Sequence, residues 1–368
     1  MRSADVVIVG AGVIGAAIAY TLSRSTRLRV LLIERGTPAC EASGAAAGVL
    51  AVASGRARKG VLLELRRASA ALFPELISDL EGQTGFDLGY RRNGLVTLAF
   101  TEAEASALRE LVSHRTAQGL RGEMLDRRSV LALEPAVTPA VHAGALFPDD
   151  GIIDGTRLVM ALVHASRTRG VEVWQRRAVQ SIANAGGTVE LRVEGRTIVA
   201  GAVIVAAGAW SADVLADWAI KIPLRPARGE MAAVRPIGWR LRTTLAAGDT
   251  YLAPRSDSEV MIGSTTAFVG FAKQVTMHGL ATLRAAGERL VPQTASAPLL
   301  GAWAGLRPCS TIRRPIIAPL PAAPNVILAC GHHRNGIMLA PITAKMVTDM
   351  ITGAPPSVPL RPFSYRRH

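Results

Sequence analysis

Apolar residues in this chain fall into short continuous runs that end at a glycine or a polar turn, with stretches of helical spacing between them. Val6-Val7-Ile8-Val9 is β-branched or aliphatic throughout, the pattern of a strand covered on both faces. A glycine turn follows, and Ala16 to Arg24 continues as a helix with an apolar face. Arg29 to Ile33 predicts a second strand, which ends in Glu34. Ala202 to Val205 reads as a buried strand running into Ala206-Ala207-Gly208-Ala209-Trp210-Ser211. Asn325 to Gly331 reads as another, followed by the polar loop His332-His333-Arg334-Asn335-Gly336 and a helix from about Ile337 to Thr352. Helices are predicted at Glu102–Gln118 and Thr156–Arg169, and a β-like run at Val171 to Trp174. Strands are predicted at Tyr90 to Phe100 (turning at Gly94), Pro226 to Val234, Thr250-Tyr251-Leu252 and Val260-Met261-Ile262. There is no internal repeat and no low-complexity linker; the last dozen residues, rich in Pro and Arg, read as a loose tail.

Arg2 followed by the apolar stretch from Val6 to Leu22 has the outline of a signal peptide or a short membrane span. Asp5 at its edge and the glycines after Val9 favour strand, turn and helix instead. Gly10-Ala11-Gly12-Val13-Ile14-Gly15 matches GxGxxG in that setting. Gly10 permits the tight turn, Gly12 lets a pyrophosphate approach the backbone, and Gly15 lets the helix pack on the strand. The helix N-terminus adds free N–H groups and the positive end of its dipole. Glu34, 19 residues after Gly15, is placed to accept ribose hydroxyls, and an acid there favours NAD or FAD over NADP. Glu41 to Leu50 carries little side-chain bulk, which suits a strip lying flat on a planar ligand and equally the start of an Ala-rich helix. The helix that follows the 332–336 loop is suited to the pyrimidine end of a flavin, where its dipole would stabilise negative charge on the reduced ring.

Composition narrows the classes. With 368 residues, 49% hydrophobic and 19% charged, the chain has enough apolar content for a sizeable core in one large or two medium domains. Its three cysteines, Cys40, Cys309 and Cys330, form no CxxC pair. A disulfide scaffold, a zinc site and an iron–sulfur cluster are therefore not expected, and a reducing, cytoplasmic setting is. The net charge of +14 comes almost entirely from arginine and is scattered in singles and doublets such as Arg66-Arg67 and Arg313-Arg314. No block of five like charges marks a nucleic-acid arm, so a surface bias toward arginine is the expectation, with an acidic carrier protein as the alternative partner.

The chain resembles the glycine oxidase (ThiO-type) branch of the D-amino acid oxidase family of FAD enzymes over essentially its whole length. The landmarks are Val9 to Gly15, Ala45-Ala46-Ala47-Gly48, Ala207 to Ser211, Tyr251-Leu252-Ala253-Pro254-Arg255, Trp303-Ala304-Gly305-Leu306-Arg307-Pro308 and Gly331 to Ile337. The resemblance implies an α/β plus α+β fold. A discontinuous Rossmann-like FAD-binding domain would occupy about 1–75, 145–215 and 300–368, and a mixed or antiparallel-sheet substrate domain 76–144 and 216–299. It implies FAD contacts at Gly10, Gly12, Ile14, Gly15, Glu34, Arg35, Ala42, Ser43, Ala47, Gly48, Val49, Val179 and Gly208, and along the last loop at His332, His333, Asn335, Gly336, Ile337 and Met338. Gly305, not Cys309, falls at the position where a relative links its flavin, so a non-covalent FAD is expected.

Arg307 and Arg334 match the family's two substrate arginines and Tyr251 a tyrosine that donates to the same carboxylate. A planar guanidinium grips a carboxylate through two parallel bonds. The implied reaction takes a hydride from the Cα of glycine or a related small amino acid or secondary amine to flavin N5. It yields an imine, then a 2-oxo acid and ammonia, with dioxygen reduced to hydrogen peroxide, and it needs no side-chain base. Alternatives are a dehydrogenase passing electrons to a quinone or partner, and a tailoring oxidase acting on a carrier-bound or peptide-bound amino acid. Relatives suggest a homotetramer. Adjacent His332 and His333 invite a metal reading, but consecutive loop residues rarely face one ligand, and no metal is expected. The chain departs from the family pattern at Ile312, Arg313 and Ala318, in Gly263 to Phe268, and at Asp249, where a histidine can occur.

Overall fold

In the computed structural model, which describes residues 2–55, 60–218 and 220–365, two eight-stranded sheets face each other across a cavity. The first is built on the opening strand Arg2–Val9, which pairs in parallel with Val30–Ile33 on one side and Arg196–Val205 on the other. Ala323–Cys330 and Glu172–Trp174 extend it in parallel, and Ile316–Leu320 closes one edge antiparallel. The hairpin Val179–Ala185 and Thr188–Val193 adds to Arg196–Val205. Val6 to Val9 and Val30 to Ile33 are all buried or nearly so, as interior parallel strands require. Helices Val13–Ser25, Gly155–Thr168, Val61–Thr84 and Gly336–Thr352 form one apolar layer with the strand residues that face them. A second apolar layer fills the opposite face.

The second sheet runs in the order Leu299–Ser310, Leu224–Val234, Glu259–Gly263, Thr250–Ser256, Thr244–Ala247, Leu95–Ala99, Ala143–Phe147, Glu123–Asp126. It is antiparallel except where Thr244–Ala247 meets Leu95–Ala99. Leu283 and Leu290 of helix Met277–Leu290 bury one of its faces. The opposite face, which carries Tyr251, Met231 and Trp303, looks into the cavity.

Most predicted elements appear within a few residues of their expected ends, including Glu102–Ala117, Gly155–Thr168 and Gly336–Thr352. Others differ. The run from Tyr90 becomes a strand only at Leu95, because Gly94 takes a left-handed φ of 78°. Residues 300–310, expected in the cofactor-binding unit, hydrogen-bond to Leu224–Val234 from Ser310 opposite Leu224 to Leu299 opposite Val234. A ladder that long keeps the whole strand in the second sheet, and Ala143–Phe147 likewise crosses the expected border at 145. The tail is not loose. Ser357 bonds Asp349, Phe363 is buried, and Tyr365 donates to the Lys221 carbonyl at 3.2 Å; only its last three residues lie outside the described ones. Among the described residues no helix is long and apolar enough to cross a membrane.

Candidate active site

The cavity, about 1730 Å³, runs from Glu34 and Val179 past the Gly10–Gly15 turn and the 42–49 segment to Arg307 and Arg334. Its first end is set by glycines. Gly10 has φ +106°, and a Cβ there would stand 2.6 Å from the Ala206 carbonyl. A Cβ at Gly15 would overlap the Gly10 carbonyl. Gly12 caps helix Val13–Ser25, and Ser43 Oγ accepts from the Val13 N–H at 2.9 Å. The Glu34 carboxylate is 8% exposed and accepts backbone N–H groups of Ala11 and Gly36, each at 2.8 Å. Each oxygen keeps a lone pair for a ribose hydroxyl. Arg35 lies 3.7 Å from the Trp210 ring centroid and bonds Glu41, which Lys273 grips from the second sheet's side at 3.0 Å. Gly208, expected at the cofactor, sits in this region at φ +56°.

The 42–50 segment combines both forms open from its composition: a single helical turn, Ala42–Ala45, then a short strand, Val49–Leu50. Gly48 has φ +82°, and a Cβ there would overlap the Ile153 carbonyl. Trp303 Nε1 donates to the Ala45 carbonyl at 3.0 Å, and a Cβ on Gly305 would come within 2.6 Å of Ala45 Cβ. These contacts press a nearly side-chain-free strip against the cavity. At its far side, Asn335 precedes helix Gly336–Thr352 and its Oδ1 accepts from Arg66 Nε at 3.2 Å and Nη2 at 2.8 Å. Two helix N-termini and a flat strip thus line one elongated cavity, which fits a dinucleotide carrying a planar ring.

His332 is buried, with Nε2 3.0 Å from Thr343 Oγ1. Burial pushes its pKa down to about 3. His333, at φ +52°, is pushed down to about 4 by burial, then by Arg334 and Arg307. Both rings are neutral near pH 7. Among the described residues no group of three or more His, Cys, Asp or Glu could hold a metal.

The substrate end stands on the second sheet. Arg307 lies across Gly229, where a Cβ would overlap its guanidinium. It donates to Ser264 Oγ at 2.7 Å and to the Thr265 carbonyl at 3.1 Å, and burial lowers its pKa. Tyr251 packs over Gly263, where a Cβ would stand 2.5 Å from its hydroxyl oxygen. Its hydroxyl points to Met231 Sδ at 3.3 Å, and burial raises its pKa. Arg334 donates to Asp249 Oδ1 and to Thr266 Oγ1, both at 3.0 Å. All three expected residues line the same cavity. Gly229 and Gly263 make room for these side chains, and Ser264-Thr265-Thr266, which hold the two guanidiniums, lie in the Gly263–Phe268 stretch that departs from the family pattern. Gly229 is flanked by Arg228 and Glu230, and Gly263 ends its strand, so the local pattern carries no mark of the close approach at either.

Residues 5–350 match the family described as FAD dependent oxidoreductase (DAO). Glycine oxidase from Geobacillus kaustophilus is 34% identical over 366 residues, covering 99% of this chain and 97% of that protein. The crystal structure of glycine oxidase from Geobacillus kaustophilus matches with a TM-score of 0.96 at 34% identity, covering 100% of both chains. Hydrogen cyanide synthase subunit HcnC from Pseudomonas aeruginosa is 30% identical, covering 98% of this chain and 95% of that one. Iminodiacetate oxidase from Chelativorans sp. BNC1 matches with a TM-score of 0.91 at 26% identity, covering 98% of each chain.

Proposed function

This chain belongs to the FAD dependent oxidoreductase (DAO) family, and from that premise we propose that it is an oxidase of glycine or a closely related small amino acid or secondary amine. The observation that carries the reading is that Arg307, Arg334 and Tyr251 line the same cavity as the 42–49 strip. FAD, when bound, supplies the two-electron acceptor for oxidation of the substrate Cα–N bond to an imine, with dioxygen as the final acceptor and hydrogen peroxide as product. Glu34 would hold the ribose, the Val13 helix N-terminus the pyrophosphate, and the helix after Asn335 the pyrimidine edge, without a covalent link. Arg307 and Arg334 grip the substrate carboxylate and Tyr251 donates a third bond, fixing the Cα over the ring. Burial leaves both imidazoles weak bases, and His332 bonds Thr343, so orientation rather than a side-chain base does the catalysis.

In this scheme the first sheet and its helices hold the cofactor, and the second sheet, now including 300–310, roofs the substrate. We place the protein in the cytoplasm as a homo-oligomer. Likeness to the hydrogen cyanide synthase subunit favours one second reading, a dehydrogenase that passes electrons to an acceptor other than dioxygen. A carrier-bound substrate fits less well, since esterifying the carboxylate would leave two guanidiniums without their partner. The test is to add glycine, sarcosine and D-alanine in turn to the FAD-loaded protein under nitrogen. Bleaching of the 450 nm band that reverses in air with peroxide supports an oxidase. Bleaching that persists in air selects the dehydrogenase, and no bleaching with any of the three removes the small-amino-acid reading.

A further inference from the structure

Arg334 already holds an acid. Its Nη1 donates to Asp249 at 3.0 Å while Nη2 donates to Thr266. Asp249 sits in the turn between Thr244–Ala247 and Thr250–Ser256, at the rim of the cavity, with its side chain 60% exposed against 35% for Arg334. Its charge reaches Arg307 as well, where it favours the protonated guanidinium. The substrate end therefore presents two positive charges and one negative one. A ligand with one carboxylate balances this set. A ligand with two brings its second negative charge toward Asp249 at the rim, where solvent screens the repulsion only in part.

We propose that Asp249 sets the charge selectivity of the site, admitting amino acids with a single carboxylate and disfavouring those with a second anionic group. The inference rests on the reading of Arg307 and Arg334 as the carboxylate clamp. Asp249 acts through Arg334 and through space, so it is a specificity-determining residue and takes no part in the oxidation itself.

The test uses the FAD-loaded protein and two non-reacting probes, acetate and malonate, whose affinities are read from perturbation of the flavin spectrum. Sarcosine and iminodiacetate, which differ by one carboxylate, repeat the comparison in turnover. Wild type is expected to bind acetate more tightly than malonate. Asp249→Asn should narrow that gap by roughly two- to fivefold, and Asp249→Glu should preserve it. Raising ionic strength should narrow the gap in wild type and hardly change it in Asp249→Asn. If Asp249→Asn tightens both probes equally, or neither, Asp249 is only a counter-ion of Arg334 and the proposal falls. Failure of the underlying clamp has a separate signature: acetate affinity unchanged in Arg307→Ala, which would overturn this proposal with it.

Discussion

Arg307 can lie flat across the second sheet because the residue beneath it is Gly229, whose missing side chain leaves the space a guanidinium fills. Removing either clamp residue, in Arg307→Ala or Arg334→Ala, deletes a charge-assisted contact of about 1.5–3 kcal/mol, so KM for glycine should rise roughly 10- to 150-fold. Gly229→Ala should act in the same direction with little loss of melting temperature, because the atom it displaces is the mobile end of a side chain. Steady-state kinetics alongside thermal melts separate the two effects. A second residue-scale expectation concerns His332. Its pKa of about 3 in the folded protein lies below the ordinary 6.5, so the unfolded chain takes up the proton first as pH falls. The stability tied to the neutral ring is complete above about pH 6.5 and is lost progressively toward pH 3, at up to about 1.4 kcal/mol per pH unit. Melting temperature should fall between pH 7 and 5, and His332→Gln should flatten that slope.

Elements with a continuous apolar run and a glycine at the end were legible, because a buried parallel strand tolerates no other pattern: Val30–Ile33, Arg196–Val205 and Ala323–Cys330 are the cases. Helix Val61–Thr84 carries no comparably clean pattern. Pro74 sits inside it and Arg66 is buried, so its apolar stripe is interrupted at the positions that matter. The segment before it depends on a distant residue. Asp150 is fully buried and accepts from the backbone N–H groups of Val52, Ala53 and Ser54 and from the Ser54 hydroxyl. Asp150→Ala leaves two buried N–H groups and the half-buried one of Ser54 without that acceptor and should destabilise the protein by about 3–5 kcal/mol, read by denaturant unfolding. Because Ser54, Gly55 and Arg66 line the cavity, the same variant should also weaken FAD binding.

At the scale of the molecule, links such as Lys273–Glu41, Trp303–Ala45 and Arg334–Asp249 join the two sheets around the cavity, and a ligand spanning it should add to them. FAD at a hundred times its Kd adds about 2.7 kcal/mol to the folded state, and should raise the melting temperature of the apoprotein by several degrees. NADP at the same concentration should not, because Glu34 meets the 2′-phosphate with a like charge; absence of a shift with FAD would contradict the groove's assignment. The order of residues alone determined the nucleotide end: strand, Gly10–Gly15 turn, helix and Glu34 lie within one local unit, and Gly15 answers a steric demand from the Gly10 carbonyl inside it, while Gly10 makes room for Ala206 after the paired strand. The amino acids around Arg307, Tyr251 and Arg334 also marked them as candidates. Only the tertiary structure decided that strand Leu299–Ser310 joins the second sheet, that Gly229 and Gly263 make room for their neighbours, and that Asp249 meets Arg334. Those relations join residues 12 to 86 positions apart through ladders and turns whose register is set by packing, and spacing along the chain carries no record of them.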